Sequence, residues 1–176
     1  GIALVAAVPN EPRLAAPRVV DVAEALDLEV LHRGDIATAR VADHLVAARS
    51  PEKLLGHLRP GTLVVVPGDR SDALIATALV AQRGMPLACL LFTCGCRPAP
   101  EIEALFSAPP LDRIPRLATD ADTFTVATRL AGLSRHVGRD DPERMERVVA
   151  HVAERIDVRP LVSRLDVPVA AKMPPP

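Results

Sequence analysis

Two short stretches bring together residue types that can recognise a ligand: Gly68-Asp69-Arg70-Ser71-Asp72 and Thr93-Cys94-Gly95-Cys96-Arg97. A guanidinium forks onto a phosphate or carboxylate, a hydroxyl both donates and accepts, and glycine lets a backbone turn tightly beside a ligand. Each stretch follows a strongly apolar run, residues 62–66 and 87–92, so each reads as the loop that leaves a buried strand. Ligands of open parallel sheets settle beyond the carboxyl ends of the strands. If the two strands are neighbours, both loops open on one edge, and Gly68, Asp69, Arg70, Asp72, Thr93, Cys94 and Gly95 line it. A plainer reading stands beside this one: Asp69, Ser71 and Asp72 cap the helix that follows, and Arg70 pairs with a nearby acid.

Other chemistry finds little support. Cys94 and Cys96 form a C-x-C pair with Cys89 on the preceding strand, but a closed zinc site takes four ligands, commonly as two separated pairs, and no second pair occurs. Oxidation of Cys94 beside Arg70 or Arg97 is an alternative to its being a small packed cysteine. The histidines, His32, His44, His57, His136 and His151, share no i, i+4 spacing, and no G-x-S-x-G elbow is present. Asp35 and Asp43 read as solvated loop acids, and Arg129, Arg135 and Arg139 as cations at a helix end. We expect no catalytic residue, no metal and no cofactor.

The elements that must position these loops alternate. Residues 2–8 form an apolar run that reads as a buried strand, and its place at the start suggests that the segment begins inside a longer polypeptide. Val19, Val22, Ala23 and Leu26 recur at helical spacing, and residues 28–31 suit a short strand. A strand over 41–47 precedes Ser50-Pro51-Glu52, which starts a helix to about residue 58. The run 62–66 is an interior parallel strand, 73–82 a helix closed by Gly84, and 87–92 the next strand. Helix 101–106, strand 114–117 and a helix over 119–133 capped by Thr119 or Asp120 follow. Asp141-Pro142-Glu143 opens a last helix whose stripe of Met145, Val148, Val149, Val152 and Ile156 reads as core. This order implies a three-layer α/β/α sandwich with a largely parallel or mixed sheet.

Composition narrows the function classes. The 176 residues allow one domain comfortably, and 21 Lys plus Arg against 22 Asp plus Glu leave no field that attracts nucleic acid or anionic lipid. Without Trp or Tyr, and with three Phe, base-stacking platforms are almost absent. Apolar runs fall short of the roughly 20 residues that cross a bilayer. Three cysteines and no signal peptide suggest a reduced, cytoplasmic setting.

Gly68-Asp69-Arg70-Ser71-Asp72 after Leu63-Val64-Val65-Val66, then Leu90-Leu91-Phe92-Thr93-Cys94-Gly95 one helix later, resembles the DRTGG domain, and most closely that of long bacterial phosphate acetyltransferases. Pro12-Arg13-Leu14-Ala15-Ala16-Pro17-Arg18-Val19 with Asp21-Val22-Ala23 is similar to the end of that family's P-loop-like N-terminal domain. Gly34-Asp35-Ile36 and Ala48-Arg49-Ser50 resemble the opening part of the DRTGG domain, and Asp141-Pro142-Glu143-Arg144 its closing helix. One departure is Thr93-Cys94-Gly95 in place of Thr-Gly-Gly, which puts a positive φ at Cys94 in doubt. The resemblance implies three parts: residues 1–33 ending a preceding domain, 34–166 a DRTGG domain, and 167–176 a proline-rich linker. It further implies a non-catalytic regulatory and assembly module of an enzyme that makes acetyl phosphate and CoA from acetyl-CoA and phosphate. The acetyltransferase domain would lie in cis, a small molecule would be the effector, and the parent would be a homo-oligomer. The related fold at the N-terminus of HPr kinase fits a binding or docking role. The alternatives are a free-standing nucleotide or metabolite sensor and a purely structural oligomerisation module.

Overall fold

A computed structural model describes residues 8, 9, 14, 16–133 and 141–156. The chain divides into two compact units, one of Ala15–His136 and one of Gly1–Leu14 with Val137–Pro176. The first unit carries a five-stranded sheet in the order β1 (Glu29–His32), β5 (Arg116–Ala118), β4 (Cys89–Thr93), β3 (Thr62–Pro67), β2 (Asp43–Val46). β2, β3, β4 and β5 are parallel, and β1 runs antiparallel to β5. The sheet is therefore mixed, with its one reversed strand at an edge.

Period-two alternation makes three layers out of this sheet. Val64, Val66, Leu90, Phe92 and Ala118 point to one face, where Leu54 of α2 (Pro51–Leu55), Ala73, Leu74 and Ala78 of α3 (Ser71–Gln82) and Phe106 after α4 (Pro100–Leu105) cover them. Leu63, Val65, Leu91 and Leu117 point to the other, under α1 (Val19–Leu26) and α5 (Thr123–Ala131). β3 and β4 are buried along almost their whole length, as expected of apolar runs with a neighbour on each side and helices on both faces.

Several boundaries differ from the sequence reading, each for a local reason. The compact unit of Ala15–His136 takes in α1, whose Val19, Val22, Ala23 and Leu26 bury against the sheet, and β1, which pairs with β5. The helix α5 begins at Thr123, not 119: Asp122 is its cap, accepting from the Thr125 amide at 2.9 Å, while residues 119–122 form a loop. The helix α3 starts two residues early, at Ser71. Gly84 does close it, with φ +96°; its amide donates to the Ala81 carbonyl and the Met85 amide reaches back to Val80.

In the second unit, α6 (Pro142–Ala153) is capped by the Asp141 carboxylate, which accepts from the Arg144 amide at 3.1 Å, and Arg144 Nε donates to the Leu14 carbonyl at 2.7 Å. Met145 and Val149 of its expected core stripe are exposed in the unit. Residues 2–7 of the strand expected over 2–8, the linker over 167–176, Arg135, His136 and Arg139 lie outside the described residues, and Val8 is exposed and in no strand. No helix among the described residues is long and apolar enough to cross a membrane.

Candidate functional site

The register of the sheet decides whether the two loops meet. Pro67 at the end of β3 pairs with Thr93 at the end of β4, so the loops leave neighbouring parallel strands at the same level and on the same edge. The strands β2 and β5 also end there, and antiparallel β1 begins there with Glu29 opposite Ala118. Gly68 is where the loops touch. A Cβ at that position would lie 2.7 Å from the carbonyl carbons of both Cys96 and Arg97, and closer still to the Cys96 oxygen. Only glycine lets the second loop cross over the first.

The second loop is a tight reversal. Cys94 and Gly95 have φ values of +63° and +65°, and the Cys96 amide closes the turn on the Thr93 carbonyl at 3.2 Å. The positive φ that glycine would supply at position 94 is thus present although the residue is cysteine. It is held from outside the turn: the Cys94 amide donates to the Ala121 carbonyl at 2.8 Å and the Gly95 amide to the Thr119 carbonyl at 3.1 Å.

Around this crossing the expected residues part into two halves. On the β2 side, Arg70 forks onto Asp72 through Nε at 2.8 Å and Nη2 at 2.9 Å, and donates to the Ala47 and Arg49 carbonyls at 3.2 and 3.3 Å. The Arg70 guanidinium holds the Asp72 carboxyl well below the usual carboxylate range, at about 2. Asp69 is exposed, and none of Asp69, Ser71 and Asp72 caps α3 through its side chain; Arg70 is the residue at the cap position. On the β5 side, Thr93 is fully buried, and its hydroxyl shares a 2.8 Å hydrogen bond with that of Thr123 at the first turn of α5. The exposed Cys94 thiol sits over both hydroxyls, 3.8 Å from Thr93 Oγ1 and 3.9 Å from Thr123 Oγ1. Asp69, Arg70 and Asp72 are therefore separated from Thr93, Cys94 and Gly95 by the buried Gly68 crossing.

Chemically this rim is suited to binding. Its accessible cation is Arg70, half-exposed with its Nε–Nη2 fork on Asp72, so an anion gains that fork only by displacing the carboxylate. Arg97 is likewise occupied by Glu29 across the edge. Sequence reasoning missed Glu29, Thr123 and the 47–49 carbonyls. The Thr93–Thr123 contact spans 30 positions, and backbone acceptors leave no residue-type signal. Cys89 is buried, and burial pushes its thiol up, which makes it a packing residue. Asp35 is not merely solvated: it pairs with Arg113 at 2.8 Å on the opposite edge of the sheet. Beside that pair lies a cavity of about 290 Å³ floored by Leu87 and Ile114.

The architecture is that of a mixed-sheet α/β/α sandwich, its sheet covered on both faces and its parallel strands ending at a polar rim. The chain belongs to the DRTGG domain family, whose profile matches residues 21–133. Over 98% of its length it is 37% identical to the phosphate acetyltransferase of Deinococcus radiodurans and 36% identical to that of Pseudomonas putida, covering 25% of each. It is 34% identical to the phosphate acetyltransferase of Escherichia coli over 86% of its own length and 21% of that protein. The chain thus spans about a quarter of the curated relatives it matches. Among solved structures, it shares its fold with the CBS and DRTGG domains of the regulatory region of Clostridium perfringens pyrophosphatase, crystallised with the activator diadenosine tetraphosphate. The TM-score is 0.54 at 19% identity, over 69% of this chain and 50% of that one.

Proposed function

We propose that this chain is the non-catalytic regulatory and assembly module of a phosphate acetyltransferase, acting on an acetyltransferase domain in cis within a cytoplasmic homo-oligomer. The observation that carries the proposal is the match of nearly the whole chain to one quarter of those enzymes. The rim supports a regulatory role in that quarter, because the Arg70–Asp72 pair sets a solvent-accessible guanidinium beyond the strand ends. Effector binding at Arg70 would trade Asp72 for the effector and loosen the hold of α3 on the 47–49 loop. Coupling of about 1–3 kcal/mol is within reach of a few charge-assisted hydrogen bonds made in one state only.

The test is acetyl phosphate formation from acetyl-CoA and phosphate, measured for this chain alone and for the longer protein that contains it. The chain alone should show no turnover above background; turnover by it would end the proposal.

A second reading is a free-standing nucleotide or metabolite sensor, favoured by the activator bound in the Clostridium perfringens regulatory region. Calorimetry of the chain with adenine nucleotides, CoA, NADH and pyruvate separates the two, since a sensor must bind tightly without an attached transferase.

A further inference from the structure

Cys94-Gly95-Cys96 sets two thiols one residue apart in the second loop. The ties of that loop run from backbone amides to backbone carbonyls, so its shape does not depend on either sulfur. Cys94 is exposed and Cys96 half-buried, whereas Cys89 lies in the core. Coiling of the turn brings the pair within bonding range. Cys94 and Gly95 have φ values of +63° and +65°, so the chain follows a short piece of left-handed helix, closed by the Cys96 amide on the Thr93 carbonyl at 3.2 Å. In such a helix alternate Cα atoms lie about 5.4 Å apart, from a radius of about 2.3 Å and a rise of about 1.5 Å per residue. A disulfide spans Cα atoms about 4.4–6.8 Å apart.

The two side chains also converge on one atom. A left-handed residue presses its Cβ toward its own carbonyl oxygen, and the Cys96 thiol donates to that same Cys94 oxygen at 3.6 Å. The Cys94 thiol is turned to the hydroxyls of Thr93 and Thr123, at 3.8 and 3.9 Å, and rotation about its Cα–Cβ bond carries it toward Cys96.

We propose that Cys94 and Cys96 are a redox dithiol, oxidised by a hydroperoxide to a disulfide within the loop and reopened by a thiol reductant. The exposed Cys94 sulfur attacks one oxygen of hydrogen peroxide; the O–O bond breaks, a sulfenic acid forms, and the thiol proton leaves with the departing oxygen as water. The Cys96 sulfur then attacks the Cys94 sulfur, the S–O bond breaks, and the hydroxyl departs with the Cys96 proton as a second water. Two electrons pass from the two thiols to the peroxide. A ring closed over one intervening residue is strained, which sets this bond among the labile disulfides and not the structural ones. The pair sits at the loop crossing, since it is the Cys96 carbonyl that comes against Gly68.

Hydrogen peroxide in slight molar excess over the reduced 176-residue chain, followed by intact mass and by thiol titration after unfolding, tests this. Of the three thiols one should remain, on a monomer lighter by two hydrogen atoms, and dithiothreitol should return all three. Cys89→Ser should lose the same two hydrogens. Cys96→Ser should lose none and instead carry a sulfenic acid that dimedone traps at Cys94, while Cys94→Ser should keep both of its thiols. A parent chain that stays reduced or gains oxygen without losing hydrogen would overturn the proposal. So would a Cys94→Ser or Cys96→Ser chain that still loses two hydrogens, or a Cys96→Ser chain that dimedone leaves unlabelled. Should Cys89→Ser fail to fold, because that side chain is buried, the two loop variants decide alone. None of these readouts involves acetyl transfer or an effector, so the regulatory proposal can fail while this one stands.

Discussion

Gly68→Ala tests the crossing on which the whole rim is built. The added methyl would sit 2.7 Å from the backbone carbons of Cys96 and Arg97, and backbone cannot rotate aside. The Cys96 carbonyl oxygen is nearer still, so restoring ordinary contact at about 3.4 Å or more means displacing the second loop by roughly 1 Å. That loop is tied by three hydrogen bonds, from the Cys94, Gly95 and Cys96 amides to Ala121, Thr119 and Thr93. At about 1 kcal/mol net each, losing two or three of them costs about 2–3 kcal/mol, a Tm lower by about 4–12 °C. Gly68 is not among the left-handed glycines, so the cost is steric and not conformational. Gly56→Ala is the control: its Cβ would meet the Lys53 carbonyl oxygen at 3.7 Å with φ −65°, and stability should hold or rise by about 0.5 kcal/mol. Urea unfolding followed by circular dichroism measures both. If Gly68→Ala is as stable as the parent to within about 0.5 kcal/mol, the loops do not cross as described and the rim loses its foundation.

Three further outcomes follow from the same geometry. Cys94→Gly should raise stability by about 0.5 kcal/mol in urea unfolding, since relief of a left-handed φ, about 1–2 kcal/mol, outweighs the extra chain entropy of glycine. Asp122→Ala should cost about 1 kcal/mol in the same assay through loss of the α5 cap, while Asp120→Ala should stay within about 0.5 kcal/mol. The Asp72 carboxyl is held at about 2 in the folded chain, below its ordinary value, so its contribution to stability is complete above about pH 4 and is lost as pH falls through about 2. Asp72→Asn should therefore flatten the acid side of the Tm-against-pH curve over that window, and more so at low salt, because the pair is half-exposed.

Much of this architecture was legible in the residues. The interior strands declared themselves as unbroken aliphatic runs, and α3 as an apolar run with Gly84 at its end, because burial on both faces leaves no alternation to confuse the reading. The edge of the sheet was harder. The strand β1 is four residues long and half-exposed, and nothing local says that it runs antiparallel to a strand more than 80 positions away. At the rim, the pairing of Arg70 with Asp72 was visible as a neighbouring acid and base. The use of the same arginine to hold the 47–49 carbonyls was not, since backbone acceptors are common to all residues. Asp122 was overlooked as the α5 cap because Thr119 and Asp120 offer the same chemistry three and two positions earlier. The partner that decides between them, the Thr125 amide, depends on where the helix axis starts.

The most direct test of the regulatory account is a kinetic one on the longer polypeptide that the account proposes, this segment joined to an acetyltransferase domain. Acetyl phosphate formation is followed across titrations of adenine nucleotides, NADH and pyruvate, with arginine or alanine at position 70. The account predicts that Arg70→Ala shifts the half-maximal concentration of at least one of these metabolites by about 5- to 150-fold, the range spanned by a coupling of about 1–3 kcal/mol. Superimposable titrations for the two proteins, with every metabolite equally effective on both, would contradict it.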